Sequence, residues 1–260
     1  MLNLVDRKFN SEKTSKYKLS IQISLDGFLF CIFDTDNVCL AAKTLNIDNA
    51  TIDDLFATEP LLTKRFAAVR CIVANQKATL VPSYCFDKNK SDEYLKFVCD
   101  INDEKIFTHK IKKIGAYCVF AIDNDIYETV KKYQAQTEFY NQSIPLIRTA
   151  LRNSGKNMFI FFNAATIDIV VNNNEKLLLQ NSYKIESTGD AIYFAAAVKK
   201  ILEIEFDNIY LSGKTNKHEE EEFSTFFEKT KLEMNKNLVF TTGTENALLL
   251  TLLEKLDKCV

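Results

Sequence analysis

Residues 159–185 read FIFFNAATIDIVVNNNEKLLLQNSYKI, which is three mainly apolar runs separated by two short turns. Runs rich in Phe, Ile, Val and Leu that are bounded by turn residues favour β-strands. The turns fall at Asn163-Ala164-Ala165 and at Asn172-Asn173-Asn174. The pattern therefore predicts a three-stranded meander, with strands at residues 158–163, 166–171 and 176–182.

A helix and a further strand follow this meander. Residues 189–203 predict a helix with Thr188 or Asp190 as its N-cap. The run Ala195-Ala196-Ala197 permits this helix to approach a sheet closely. Residues 208–212, NIYLS, suit a strand. The second half thus begins with three strands, a helix and a strand.

The first half has the same order of elements. Residues 28–33, FLFCIF, are apolar on both faces, as a fully buried strand is, and Asp26-Gly27 before them is a tight-turn signal. Asp48 or Asn49 is the expected N-cap of the first helix. The predicted elements are strands at 18–24, 28–33 and 38–45, a helix at 51–59 and a strand at 66–74. The repeat predicts a duplicated topology of mixed sheets with helices on their faces.

Further elements lie between and after the two repeats. Ser91 and Asp123 are predicted N-caps, Pro145 fits a first helical turn, and Gly155 is a natural helix stop. We predict helices at 91–99, 124–133, 143–154, 219–232 and 245–258, and strands at 78–81, 104–112, 115–122 and 136–141. The apolar stripe of the last helix is too wide for one buried face. That helix either packs in the cleft between the halves, which we favour, or serves a partner interface.

The composition bounds the class of protein. The chain has 260 residues, of which 47% are hydrophobic, and a formal net charge of −2. Nucleic-acid binders usually show a basic surplus, so we expect no nucleic-acid partner. Residues 1–18 are polar and charged, and no stretch approaches the roughly 18 apolar residues that a membrane helix needs. We therefore expect no membrane insertion and a cytoplasmic location.

Metal sites and catalytic nucleophiles have little support in the sequence. His109 and His218 are the two histidines and have no ligand spacing, so zinc is not expected. The cysteines form no C-x-x-C pair and are best interpreted as small buried hydrophobic residues. The first strand of each half lacks Asp and Glu, which argues against a two-metal nuclease. We expect no catalytic residue and no metal ligand.

Four stretches together carry a family resemblance. They are LSIQISLDGFLFCIFD at 19–34, the meander at 159–185, TGDAIYFAAAVKKIL at 188–202 and NIYLSGKT at 208–215. In this order they resemble the actin-like ATPases, most closely the pilus-assembly branch, and also an uncharacterised bacterial family with that fold. The resemblance covers residues 17–260. It implies an α/β fold of two ribonuclease-H-like lobes, at residues 1–142 and 143–260, each a mixed sheet opened by a β-hairpin meander.

The resemblance also implies a nucleotide site. In the superfamily the first hairpin of each lobe holds the phosphates of ATP or ADP with Mg²⁺, and a strand ending in a Gly pair supports the adenosine. Close approach of backbone to phosphate favours Gly, and Mg²⁺ usually needs a carboxylate. The positions that would bind a nucleotide, if binding is retained, are Asp26, Gly27, Asn163, Ala165, Thr166, Gly189 and Gly213.

The two hairpin motifs depart from the family pattern, which is Asp-x-Gly at each turn. Leu25 and Asn163 stand at the two Asp positions, and Ala165 stands at the second Gly position. Both carboxylates that would support the metal are therefore missing. Asp26 and Asp168 are close in sequence, but alternation along a strand predicts that they point to the opposite face. Their simpler interpretations are a turn residue and an exposed or hairpin-pairing acid.

Two other motifs are also degenerate. Lys214 replaces the second Gly of the adenosine motif, so we interpret Gly213 as a strand-to-helix turn residue. Gly213-Lys214-Thr215 is not the end of a P-loop, because Asn208 stands where the first Gly is required. Gly189-Asp190 matches a Gly-rich helix start that could bind an anion. Asp190 is equally well explained as an N-cap, and its charge would oppose a phosphate.

Two functional hypotheses follow from these motifs. The first is a protein that has lost, or nearly lost, ATP hydrolysis and acts as an assembly or interaction module. It would have an unidentified protein partner, and homo-oligomers are left open. The second is an active Mg-ATP-dependent ATPase or small-molecule kinase that uses Asp26 or Asp168 after a local shift of register.

Overall fold

A computed structural model describes residues 2–24, 27–47, 50–233 and Leu253. The chain divides into two compact units, with the division between Ile144 and Pro145. The features predicted outside the described residues are Leu25, Asp26, Asp48, Asn49 and, apart from Leu253, the helix at 245–258.

The first unit contains nine strands and three complete helices among its described residues. The strands are β1 (Asn3–Val5), β2 (Lys18–Ser24), β3 (Gly27–Phe33), β4 (Cys39–Leu45), β5 (Ala68–Ala74), β6 (Ala78–Pro82), β7 (Glu104–Ile111), β8 (Ala116–Asp123) and β9 (Glu138–Asn141). The helices are α1 (Ile52–Thr58), α2 (Ser91–Lys96) and α3 (Asn124–Tyr133). A further helix, α4 (Ser143–Ala150), includes the point where the two units divide.

Six strands of the first unit form a mixed sheet in the order β1-β4-β3-β2-β5-β9. The strands β2, β3 and β4 are an antiparallel meander, whereas β5 runs parallel to β2 and β9 runs parallel to β5. The strands β6, β8 and β7 form a separate antiparallel sheet, which is inserted in the chain between β5 and β9.

The second unit repeats the core of the first. Its elements are β10 (Lys156–Phe162), β11 (Thr166–Asn173), β12 (Lys176–Lys184), α5 (Thr188–Leu202), β13 (Asn208–Gly213), α6 (Lys217–Phe226) and β14 (Thr230–Leu232). Its sheet has the order β12-β11-β10-β13-β14, with a meander followed by two parallel strands. In both units the core strands lie third, second, first, fourth and fifth. This order confirms the predicted duplication of topology.

Aromatic packing fixes helices α1 and α3 on the first sheet. Phe28 of β3 meets Phe56 of α1 edge-on, with ring centroids 5.6 Å apart, and Phe56 stacks on Tyr133 of α3 at 5.0 Å. Phe28 and Phe56 are almost fully buried. With no Trp in the chain, phenylalanine provides most of the large aromatic packing of this core.

Alternation along β10 defines the core of the second unit. Met158, Ile160 and Phe162 lie on one face and pack with buried residues of α5 such as Ala195. Of the predicted alanine run, Ala195 is buried and Ala196 is exposed. The close contact with the sheet therefore comes from one helix face rather than from the whole run.

Local signals placed some element ends wrongly. The N-cap of α1 is Thr51, which forms a capping box with Asp54, and not Asp48 or Asn49. Ser91 is the first residue of α2 and makes no cap, because a 3₁₀ turn at Lys88–Lys90 precedes it. The predicted cap of α3, Asp123, is confirmed by its bonds to the next amides.

Two strands were missed because their pairing is not local. Residues Asn3–Val5 were expected to be a polar lead-in, but they form β1, which pairs with β4. The last predicted helix before residue 233 ends at Phe226 instead of residue 232, since β14 follows and adds to the edge of β13. The helix predicted to end at Gly155 ends at Ala150, and Gly155 leads into β10.

None of the described helices combines the length and the apolar character that are needed to cross a membrane.

We predict that Phe56→Ala lowers the free energy of unfolding by about 3–5 kcal/mol, because it removes a fully buried ring and leaves a cavity. Urea denaturation followed by circular dichroism measures this loss. Phe97→Ala is the matched control, because Phe97 is 86% exposed, and its effect should stay within about 0.5 kcal/mol. Equal losses in the two variants would contradict the packing described for α1.

Candidate functional site

The turn between β10 and β11 is closed by its own polar groups. The Asn163 backbone N–H donates to the Thr166 carbonyl at 2.8 Å, and Asn163 Nδ2 donates to Thr166 Oγ1 at 3.2 Å. The Ala165 carbonyl accepts a hydrogen bond from the Ile185 N–H at 3.1 Å, which ties the turn to the end of β12. The turn is therefore held by hydrogen bonds within the chain, although Ala164 and Ala165 are exposed.

Asp168 lies on the same face of the hairpin as Asn163. Asn163 Nδ2 donates to Asp168 Oδ2 at 3.2 Å, so the expectation that Asp168 points to the opposite face was wrong. The physical reason is the register, in which Asp168 faces Phe161. Asn163 is two residues beyond Phe161, and an even spacing keeps both side chains on one face.

The Asp168 carboxylate is buried and accepts hydrogen bonds from Asn163 and Ser182. Asp168 is 1% exposed. Its Oδ1 atom accepts a hydrogen bond from Ser182 Oγ on β12. Asp168 is thus a hairpin-pairing acid, as one of the two simpler interpretations had it, but it is not exposed. Ser182 was not predicted, because its role depends on the pairing of β11 with β12.

These described residues do not fit a magnesium ion. Mg²⁺ needs a carboxylate that faces it directly or holds its water ligands. Asn163 carries no charge, and both Asp168 oxygens accept hydrogen bonds from Asn163 and Ser182. Within the described ranges, no group of three His, Cys, Asp or Glu residues could hold a metal ion.

Gly213 ends β13 where that strand lies beside β10. Its φ is +87°, and a Cβ placed there would stand 2.2 Å from the Phe162 carbonyl oxygen. The next residue, Lys214, donates its N–H to the same oxygen at 2.9 Å. Gly213 is therefore required by the fold, in agreement with its interpretation as a strand-to-helix turn residue.

The contact at Gly213 lies at the strand ends where an open α/β sheet usually binds a ligand. Ligands favour the carboxyl ends of adjacent parallel strands whose connections run to opposite sides. In the second unit those strands are β10 and β13. Beside the contact, Thr215 is 5% exposed, and its Oγ1 has no hydrogen-bond partner among the described residues. Sequence reasoning noticed Thr215 only as part of a false P-loop.

The N-terminus of α5 is occupied by a carboxylate of the chain itself. Ser187 is the N-cap, instead of Thr188 or Asp190, and Asp190 completes its capping box. The Asp190 carboxylate accepts from the N–H groups of Glu186 and Ser187, at 2.8 and 3.0 Å. The bond from Glu186 is the main reason that the pKa of Asp190 lies below its usual value. The Asp190 N–H in turn donates to Ser187 Oγ at 3.3 Å, so a carboxylate and a hydroxyl of the chain both lie at the start of this helix, beside Gly189.

In the first unit, side-chain amides occupy the carboxyl ends of β5 and β9. Asn75 Nδ2 donates to the Ala121 carbonyl at 2.9 Å, and Asn141 Nδ2 donates to the Asn75 carbonyl at 3.1 Å. Asn141 Oδ1 in turn accepts from Ser143 Oγ at 2.6 Å. No local pattern predicts this network, since its members come from three separate segments.

Gly27 is the first residue of β3, and Asp26 lies outside the described residues. The Gly27 carbonyl accepts a hydrogen bond from Ser24 Oγ at 3.1 Å. The nearest atom to a Cβ at Gly27 would be Ser24 Oγ, at 4.0 Å. The geometry therefore does not require glycine here for packing.

Two adjacent cavities, of about 300 and 550 Å³, lie in the second unit beside the ends of α5 and α6. They share Lys199, Glu205, Phe226 and Phe227 as lining residues. None of the described nucleotide-site residues lines either cavity.

Gly189 and Gly213 of the second unit provide a matched pair for mutation. We predict that Gly213→Ala lowers the free energy of unfolding by about 3 kcal/mol or more, because Cβ collides with a backbone oxygen at a positive φ. Gly189→Ala should be neutral or stabilising by up to about 1 kcal/mol, because it replaces a helical glycine. The nearest atom to its Cβ would be Ser187 Oγ at 3.5 Å. Thermal and urea unfolding measure both effects, and a neutral Gly213→Ala would contradict the close strand contact.

The comparisons with known proteins bear on both the fold and the family. A crystal structure from Bacteroides thetaiotaomicron VPI-5482, of a protein with an actin-like ATPase fold and unknown function, matches with a TM-score of 0.79 and 23% identity. The match covers 94% of this chain and 98% of that one. A search among curated proteins found no match.

Two further solved structures share the fold at lower identity. The PilM–PilN type IV pilus biogenesis complex matches with a TM-score of 0.61 and 10% identity, over 92% of this chain and 97% of that one. The cytoplasmic domain of EpsL, an inner membrane component of the type II secretion system of Vibrio cholerae, matches with a TM-score of 0.52 and 12% identity. That match covers 93% of this chain and 95% of the EpsL domain.

These matches confirm the actin-like ATPase fold that the sequence motifs implied. The model of a family described as "Protein of unknown function (DUF3822)" matches residues 6–229, which is most of the chain. The chain therefore belongs to the DUF3822 family and has an actin-like ATPase fold.

Proposed function

We propose that this chain is a non-catalytic, or at most weakly nucleotide-binding, module for assembly or interaction with other proteins. The observation that carries the proposal is the hairpin turn at residue 163. The neutral amide of Asn163 stands at the position of a metal-supporting carboxylate, and it is hydrogen-bonded to Thr166 and Asp168.

The chemistry of phosphoryl transfer explains why Asn163 matters for this proposal. Such reactions depend on metal ions that neutralise the charge developing on the phosphates. Asn163 offers a hydrogen-bond donor to Asp168 and no negative charge to an ion. A turn built in this way supports the fold of the hairpin but lacks the electrostatic part of the catalyst.

Two other contacts support the same proposal. The Lys214 N–H and the Gly213 backbone close on the Phe162 carbonyl, so the carboxyl ends of β10 and β13 are bridged by the protein itself. At α5, the Asp190 carboxylate lies at the helix start, where its negative charge opposes a phosphate. Groups of this chain thus lie both at the strand ends beside Gly213, where the resemblance implies an adenosine contact, and at the start of α5.

The interaction half of the proposal is supported by the kind of structures that share the fold. PilM is found in a complex with PilN, and EpsL is a component of a secretion system. At 10% and 12% identity these likenesses show the fold alone. They motivate the search for a protein partner, and they do not name it.

A second candidate function is an active ATPase or small-molecule kinase that uses Asp168. One observation favours it: Asp168 reaches the same face as Asn163, 3.2 Å away, so a carboxylate is present near the family position. The first-turn alternative, Asp26, lies outside the described residues. Titration of the purified protein with ATP and ADP, with and without magnesium, separates the two candidates.

We expect no magnesium-dependent ATP hydrolysis above that of a blank, and nucleotide binding that is weak or absent by calorimetry. Thermal shift provides a second readout, because a ligand that binds the native state must raise its apparent stability. Micromolar binding with hydrolysis that Asp168→Asn abolishes, without loss of fold, would overturn the proposal and favour the kinase or ATPase.

Asn163→Asp tests the turn itself. It places a second carboxylate next to the buried Asp168 and removes a donor, so we predict a loss of about 2 kcal/mol or more in unfolding free energy. Asn181→Asp is the matched control, since Asn181 is exposed on the neighbouring strand β12. If Asn163→Asp is as stable as this control, the hydrogen bond between Asn163 and Asp168 does not have the role assigned to it.

A further inference from the structure

The inserted three-stranded sheet ends in an exposed surface that combines lysines with an aromatic ring. We call this surface the basic tip, and all of its members are exposed. Its members are Tyr84, Lys88, Lys90, Lys110, Lys112 and Lys113. Tyr84 is 89% exposed, which is unusual for a ring of this size.

Backbone hydrogen bonds place Tyr84 beside the β7–β8 turn. The last residue of β6 pairs with Ala116 of β8, and the Ser83 N–H donates to the Gly115 carbonyl at 2.8 Å. The turn itself is a 3₁₀ segment, Lys112–Ile114, that ends at Gly115 with φ +60°. Tyr84 therefore stands next to the lysines of this turn.

Aromatic stacking holds the other lysines close to the same end of the sheet. Phe86 stacks on Tyr117 of β8 with ring centroids 3.9 Å apart, and the Lys110 ammonium lies 5.4 Å from the centre of the Tyr117 ring. The Tyr94 hydroxyl donates to the Cys85 carbonyl at 2.7 Å. These contacts fix the segment that carries Lys88 and Lys90.

The basic tip is positive although the chain as a whole is acidic. Asp87 is the one acid in residues 82–90, and residues 105–122 contain none. Asp87 caps the turn at Lys88–Lys90 by accepting from the Asn89 N–H. Beyond the tip, Asp92 of α2 pairs with Lys96. Glu93 is the other acid of α2, and the five lysines of the tip still outnumber Asp87, Asp92 and Glu93, within a protein of net charge −2.

We infer that the basic tip binds an acidic segment of a partner protein, with Tyr84 packed against an apolar or aromatic side chain of that segment. The inference rests on the proposed interaction role and gives it a surface and a partner chemistry. Exposed lysines attract carboxylates and speed encounter, while a central aromatic ring provides contact area.

Two features favour an acidic protein segment over a nucleic acid. Residues 82–122 contain no arginine, and arginine is the residue that reads phosphate with paired hydrogen bonds. The net charge of −2 would also repel a long polyanion from the rest of the surface. A short carboxylate-rich segment contacts only the basic tip and not the rest of the surface.

Fluorescence anisotropy with a labelled peptide rich in Asp and Glu that carries one Phe tests the inference. The triple variant of the tip is Lys88→Glu/Lys110→Glu/Lys112→Glu, and we expect its dissociation constant for the peptide to be about tenfold higher or more. Tyr84→Ala should raise the dissociation constant about fivefold. The matched control is Lys176→Glu/Lys184→Glu/Lys200→Glu, three exposed lysines of the second unit. It changes the net charge equally and should leave binding within about twofold.

The remaining measurements separate the outcomes. Circular dichroism and the melting temperature should match wild type in both triple variants, since all six side chains are exposed. Equal weakening in the control, no peptide binding, or tighter binding of a single-stranded oligonucleotide or of phosphatidylserine vesicles would each overturn the inference. None of these results depends on nucleotide. Magnesium-dependent ATP hydrolysis would instead refute the proposed function, whatever the peptide result.

Discussion

The close contact between the Gly213 backbone and the Phe162 carbonyl is the constraint on which the second unit depends. It lets β13 run parallel to β10 to the end of both strands, and a Cβ at 2.2 Å from that oxygen could not be accommodated. The strand pairing then fixes where the chain turns into α6 and where the turn at residue 163 lies. A residue that looks like part of a nucleotide motif is therefore explained by the fold alone.

The first unit reaches the same strand order with different chemistry at the equivalent place. There β5 ends at Ala74, and the following Asn75 bonds through its side chain to the Ala121 carbonyl and accepts from Lys77 N–H. Side-chain amides do in this unit what backbone proximity does in the other. The duplication is thus one of topology, and each copy has its own way of satisfying the polar groups at the strand ends.

How much the sequence predicts depends on whether the signal is local. The strand bounds of the meander at 159–185 were predicted within a few residues, because apolar runs and turn residues are both local sequence patterns. Ser187 was missed as a cap because it stands among several residues able to cap, and only the bond to Asp190 decides between them. β14 was missed because three residues at a sheet edge have no period of their own. Asp168 was assigned to the wrong face because the strand register across the turn is a property of the pairing.

The same distinction applies to function. The duplicated core is constrained by burial, and its departures at Asn163 and Asp190 are each compensated by hydrogen bonds within the chain. These hydrogen bonds support the shape of the core with groups of the chain itself, in line with the non-catalytic role proposed above. The insert of β6, α2, β7 and β8 has no counterpart between β13 and β14 of the second unit. It adds a small core of its own, built around Val81, Leu95 and Val119, and it projects lysines and Tyr84 that this core does not need. Exposed residues that packing does not require are free to serve binding. The search for a partner therefore begins at the insert.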